Sequence, residues 1–123
     1  MSERDFHVAA DAALARLEQA LAPLEEAEKG LDLSCAMGVL TLRLGGTRGT
    51  YVLNKQAPAR QIWWSSPLSG PRRFNFDARR GAWVSARGDG GELAGELRAE
   101  LRRLTGIELE GLAPSPAGLA PSA

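Results

Sequence analysis

Between residues 31 and 85 the sequence runs as short stretches that alternate apolar and polar residues, broken every few positions by glycine or proline. A period of two sends successive side chains to opposite sides of a strand. Such a stretch therefore settles where one sheet face is buried and the other is wet. The stretches are residues 31–36, VLTLRL (39–44), TYVLN (50–54), QIWWS (61–65), RFNFD (73–77) and AWVS (82–85). Their links are short and turn-rich, with Gly45, Gly46, Gly49, Pro58 and the run SSPLSGP among them. Parallel strands need long crossovers, so the pattern predicts an antiparallel meander of about six strands.

On both sides of this region the period changes. Phe6, Ala10, Leu14, Leu17, Leu21 and Leu24 recur at spacings of three and four and predict a helix over about residues 2–22. Ser2 is a fitting N-cap, with Glu3 and Asp5 in the first turn. Pro23 is expected to end or kink this helix, leaving EEAEKG as an acidic connection. Leu93, Leu97, Leu101 and Leu104 predict a second helix, starting at Asp89 or a neighbouring glycine and stopped by Thr105-Gly106. Leu109 and Leu112 are expected to fold back onto the helices. Two helices with one apolar stripe each cover one sheet face and leave the other open. The predicted fold class is α+β, a two-layer sandwich of two helices on an antiparallel sheet. Residues 1–112 form the domain, and the uncharged APSPAGLAPSA at 113–123 is expected to be a disordered tail.

Alternation also assigns the faces. Leu40, Leu42, Leu44, Tyr51, Leu53, Ile62, Trp64, Phe74 and Phe76 share one parity and should lie under the helices. Thr41, Arg43, Val52, Asn54, Gln61, Trp63, Ser65, Arg73, Asn75 and Asp77 share the other. A tryptophan on that polar face is either covered by a loop or the tail, or it is a protein-binding hot spot, where Trp and Arg are enriched. Trp83 is read as core or edge packing.

The charge is unevenly spread. Residues 1–37 carry eight acids and three bases, residues 38–87 one acid and nine bases, and residues 88–123 six acids and three bases. The folded surface should therefore be bipolar.

Several function classes are excluded. With Cys35 and His7 as the single cysteine and histidine, the chain has no intramolecular disulfide, no structural zinc site and no four-cysteine cluster site. No apolar run approaches the roughly 20 residues of a membrane span. MSERDFH has neither the apolar core of a secretory signal nor the Arg-rich, acid-poor character of a transit peptide. No nucleophile–base set is present, and GDGG lacks the lysine of a phosphate-binding loop. No catalytic residue is assigned. The basic middle and Trp63 raise nucleic-acid binding as a remote alternative, but one aromatic without the RNP pattern is a thin basis for it.

The run GTYVLNKQAPARQIWWSSPLSGPRRF (49–74) closely resembles the frataxin family. The family pattern is a YVINKQ-type strand, then QIW, then SSP-x-SGP. GVLTLRLGG upstream, the Trp83 strand downstream, and Glu3, Asp5, Phe6, His7, Ala10 and Asp11 at the start also match, so the similarity covers about residues 3–110. It implies a helix–sheet–helix sandwich, weak iron binding on an acidic ridge, and docking onto a cysteine desulfurase and its iron–sulfur scaffold protein. In the family the exposed Asn, Gln, Trp and Arg of the sheet contact the scaffold, which implies Asn54, Gln61, Trp63 and Arg73 here. Parity places the same four on the open face.

The family's iron ridge uses carboxylates of the first helix and first strand, and hard oxygen ligands suit ferric iron. The resemblance implies a weak surface ridge of His7, Asp11, Glu18, Glu25, Glu26, Glu28 and Asp32. Asp11, Glu18 and Glu25 lie seven apart and share a helix face, and His7 precedes Asp11 by one turn. The bland alternatives are a solvated helix face and an ordinary surface histidine. The connection here carries Ala22, Pro23, Lys29 and Gly30 where frataxins are often richer in acids, which predicts weaker or fewer sites. The resemblance also implies ferroxidase and iron storage as an alternative function, although no Glu-x-x-His motif is present. No organic cofactor is expected, and the free protein is expected to be a monomer. The FHxxAD phrase resembles the cytoplasmic bacterial frataxins, the preferred compartment. The matrix applies if the source is eukaryotic and a transit peptide has been removed.

Overall fold

A computed structural model describes residues 1–112. The tail expected at 113–123 lies outside the described residues. The chain runs α1 (Glu3–Ala27), β1 (Asp32–Ala36), β2 (Val39–Arg43), β3 (Thr50–Gln56), β4 (Gln61–Ser66), β5 (Gly70–Asp77), β6 (Ala82–Ser85) and α2 (Leu93–Thr105). Short 3-10 turns occupy Ala57–Ala59 and Glu110–Leu112. All six strands form one antiparallel sheet in sequence order, β1 to β6, as a meander requires. No described helix is long and apolar enough to cross a membrane.

The tightest link joins β1 to β2 through Met37 and Gly38, both at positive φ (53° and 78°). Positive φ at both central residues matches the right-handed twist of the flanking strands. The other edge, β6, is partly covered by a bridge between Val84 and Glu92.

Both helices lie on one face. Phe6, Ala10, Leu14, Leu17, Leu21 and Leu24 of α1 meet Leu40, Leu42, Tyr51, Leu53, Ile62, Trp64 and Phe74 of the sheet in one buried core. Leu93, Leu97 and Leu101 of α2 complete it, and Leu109 and Leu112 fold back into it. Phe76, near the end of β5, is only half-buried and packs on Trp83 (ring centroids 5.3 Å apart). Trp83 is core, as expected.

Pro23 does not end α1; the helix continues to Ala27 and is capped at Glu28, whose N–H donates to the Leu24 carbonyl at 2.9 Å. A proline inside a helix costs about 3 kcal/mol through its missing N–H. Full burial of Leu24 returns about 2 kcal/mol. The carbonyl that Pro23 leaves without a donor belongs to exposed Gln19, where water can serve it. Glu25 and Glu26 therefore sit on the helix and not in a connection. The second helix starts at Leu93 and not at Asp89, with Glu92 as its N-cap and Gly106 closing it in the left-handed conformation (φ 76°).

Candidate functional site

The open face of the sheet is built by register. Ala36, Val39, Asn54, Trp63 and Arg73 stand opposite one another across β1 to β5. This row crosses the face that the helices leave bare. Gln61 neighbours Trp63 along β4 and stands opposite Asn75 of β5. Their side chains fix one another. The Trp63 Nε1–H donates to Gln61 Oε1 at 2.8 Å, and Gln61 Nε2 donates to Asn75 Oδ1 at 3.0 Å. The Arg73 guanidinium stacks on the Trp63 ring at 4.5 Å from its centroid, a cation–π contact. Asn54, Gln61 and Trp63 are half-buried and Arg73 is exposed. The whole predicted quartet thus lies together on the open face.

Beside it opens a cavity of about 490 Å³ lined by Trp63, Pro71, Arg72, Arg73, Ala86 and Arg87. The Ala86 N–H donates to the Arg73 carbonyl at 2.8 Å, which pins the segment after β6 along β5.

The other face carries two cations that sequence reasoning missed. Lys55 and Arg72 have the helix-facing parity, opposite Ile62 and Trp64. Arg72 is 7 % exposed. It pairs with Glu96 of α2 at 3.0 Å and with Asp89 at 3.5 Å, and it lies over the rings of Phe74 (5.2 Å) and Trp64 (5.7 Å). Asp89 also accepts the Gly91 N–H. That bond chiefly, and then Arg72 and Arg87, holds the Asp89 carboxyl below its usual range. A side chain at Gly91 would collide with Glu96, so glycine there lets the clasp close. Tyr51 adds a second tie between β3 and α2, its hydroxyl donating to Glu100 at 2.7 Å while Ser66 donates to the same oxygen at 2.5 Å. Burial, with the Glu100 bond adding to it, pushes the Tyr51 hydroxyl far up.

The acidic ridge is looser than the quartet. Lys55 Nζ lies 2.7 Å from Asp11 Oδ1 and 3.1 Å from His7 Nδ1. The imidazole and carboxylate expected to meet on one turn are therefore joined through a cation. Glu28 pairs with Arg48 at 3.0 Å. Asp32 stands opposite Arg43 on the open sheet face and pairs with it at 3.5 Å, so its side chain is turned away from the α1 acids. Glu18, Glu25 and Glu26 are exposed on α1. Cys35, on the helix-facing side of β1, senses this charge: burial first, then Glu18 and Asp11, push its thiol up. Among the described residues no three His, Cys, Asp or Glu side chains converge closely enough to hold a metal ion.

The frataxin-like domain model matches residues 1–107. This chain belongs to the frataxin family. It is 43 % identical over 107 residues to the mitochondrial frataxin of Dictyostelium discoideum, covering 85 % of this chain and 54 % of that protein. It is 40 % identical over 106 residues to the mitochondrial frataxin of Caenorhabditis elegans, covering 84 % and 76 %. Among solved structures, the trimeric frataxin of Saccharomyces cerevisiae complexed with ferrous iron superposes with a TM-score of 0.69 at 42 % identity, covering 80 % of this chain and 87 % of that one. The chain thus spans between about half and three quarters of the curated relatives named.

On this frataxin, then, Gln61, Trp63 and Arg73 form one connected cluster, and Asn54 stands opposite Trp63 beside it. The seven expected ridge residues form no such cluster: Asp32 lies on the opposite sheet face, three acids carry cationic partners, and Glu18, Glu25 and Glu26 project from α1. The signal that could have found Lys55 and Arg72 is their parity, since each is a cation at a position whose strand neighbours are core.

Proposed function

We propose that this frataxin is an iron-binding accessory protein, an iron chaperone and regulator, of iron–sulfur cluster assembly. It docks through the open sheet face onto a complex of cysteine desulfurase and its iron–sulfur scaffold protein. The observation that carries this reading is the interlocked set of Gln61, Trp63 and Arg73, with Asn54 opposite Trp63 on the neighbouring strand. A tryptophan held by a neighbouring amide and stacked under an arginine has the composition and rigidity of a binding hot spot. Ordering these side chains before contact lowers the entropy lost on docking. The acids of α1 meet basic surface of the partner and set encounter rate and orientation.

Iron is cargo here. The exposed carboxylates of α1 offer hard oxygen donors without a closed cage, which suits weak, exchangeable holding. The yeast relative described with ferrous iron supports this part of the reading. Ferroxidase turnover is the alternative activity, and among the described residues no convergent carboxylate cluster favours it over passive binding. The free protein acts as a monomer, in the cytoplasm of a bacterial source or in the matrix of a eukaryotic one.

The test is a cluster-assembly assay on the cognate desulfurase and scaffold, with ferrous iron. The protein is expected to change the assembly rate, and Trp63→Ala to lose most of that effect while keeping its thermal midpoint. A Trp63→Ala protein that acts like the wild type would overturn the docking reading.

A further inference from the structure

The cavity beside Trp63 holds two guanidinium groups without an acidic partner in its walls. Arg72 also lines it, but its guanidinium is committed to Glu96 and Asp89. Arg73 lies over Trp63, a contact that leaves the N–H edges of the guanidinium free to donate. Arg87 is exposed and reaches the Pro71 carbonyl at 3.4 Å. Its charge acts weakly on Asp89, an acid that the Gly91 N–H and Arg72 already engage. Pro71 and Ala86 give the cavity an apolar wall, and the Trp63 ring gives it an aromatic one. The groove lies within the segment 38–87, which carries nine bases against one acid. Its chemistry is therefore bidentate donation to a carboxylate next to apolar contact.

We propose that this groove receives an acidic peptide segment of the docking partner. An Asp or Glu carboxylate would sit between Arg73 and Arg87, with a neighbouring aliphatic side chain against Pro71 and Ala86. The proposal rests on the docking reading of the open face and adds the chemistry of the segment it recognises. About 490 Å³ is room for two such side chains and not for a folded element. A phosphate ion alone would use the arginines and leave the apolar wall wet. A peptide uses both.

The test uses the full chain labelled with 15N and two acetylated, amidated peptides, Leu-Glu-Glu-Leu-Ala and its twin with glutamine for glutamate. The expected result is a shift of the Trp63 indole resonance and of the Arg73, Ala86 and Arg87 amides with the acidic peptide only. Arg87→Gln should weaken that binding about tenfold, as loss of a charge-assisted contact does, and should weaken docking on the desulfurase–scaffold complex likewise. Equal shifts with both peptides, or none at millimolar acidic peptide, would overturn the proposal. The same shifts with inorganic phosphate would make the groove a small-anion site, and tighter binding of a single-stranded oligonucleotide would make it a nucleic-acid site; either outcome removes the peptide. If Trp63→Ala abolishes docking while Arg87→Gln leaves it intact, the groove falls and the docking face stands. If neither variant matters, both fall.

Discussion

The open sheet face and the α1 ridge are built in different ways. The quartet on the sheet is set by strand register, so Trp63 faces Arg73 and Asn54 whatever their side chains do. The ridge relies on long side chains of one exposed helix, and its geometry is set by whichever cations reach them: Lys55 for Asp11 and His7, Arg48 for Glu28. A rigid, interlocked surface suits recognition of one partner. A loose array of carboxylates suits cargo that must leave again. Under the proposed function, the difference puts specificity on the sheet and exchange on the helix.

The sharpest way to break this contrast compares two adjacent arginines of opposite parity. Arg72→Ala should cost about 3 kcal/mol in urea unfolding, because it removes a buried cation that packs on Trp64 and Phe74 and ties β5 to α2. Arg73→Ala, on the wet face, should change stability by no more than about 0.5 kcal/mol. Equal losses would mean that the two faces are not divided as described.

A smaller effect is expected at Lys55. Replacing it by methionine frees Asp11 and His7 on the ridge. Ferrous iron, followed by calorimetry, should then bind about fivefold more tightly, the scale of one partly exposed ion pair. Weaker binding in Lys55→Met would show that Lys55 organises the ridge instead of competing with the metal. Asp32→Asn should leave iron binding unchanged, since Asp32 lies on the other face.

Acid titration gives a smaller signal. The Asp89 carboxyl is held below its unfolded value, so its contribution is fully present above the ordinary carboxylate range and is lost as pH falls through its lowered folded value. Stability measured from neutral pH downward should therefore decline less in Asp89→Asn than in the wild type. Parallel curves would remove Asp89 from the clasp. The smallest effect is at Cys35, whose thiol is pushed up by burial and then by Glu18 and Asp11. Glu18→Gln should make Cys35 react modestly faster with iodoacetamide at pH 8, by releasing part of that restraint. An unchanged rate would place Glu18 too far from β1 to act.

Much of this architecture was legible as periodicity. Alternation in VLTLRL, TYVLN, QIWWS and RFNFD separates the residues that face the helices from those, the quartet among them, on the open face. Pattern reading failed where one long-range contact outweighs a local rule. Pro23 predicts a helix end or a kink, and burial of Leu24 carries the helix past it. Lys55 and Arg72 look like solvent residues by type, yet their parity turns them toward α1 and α2, where acids far away in sequence receive them. Asp32 looks continuous with the acids before it, but strand pleat turns its side chain to the opposite face. Parity gives the face each of these side chains takes, but not the distant partner it meets there.

The claim on which the rest depends is that the wet side of the sheet disappears on docking. Hydroxyl-radical footprinting of the three tryptophans reads this directly, because Trp64 and Trp83 are buried in the free protein and Trp63 is not. Addition of the desulfurase–scaffold complex should suppress oxidation of Trp63 and leave Trp64 and Trp83 as unreactive as before. Unchanged Trp63 oxidation in a complex that protects the outer surface of α1, at Val8 for instance, would contradict the account.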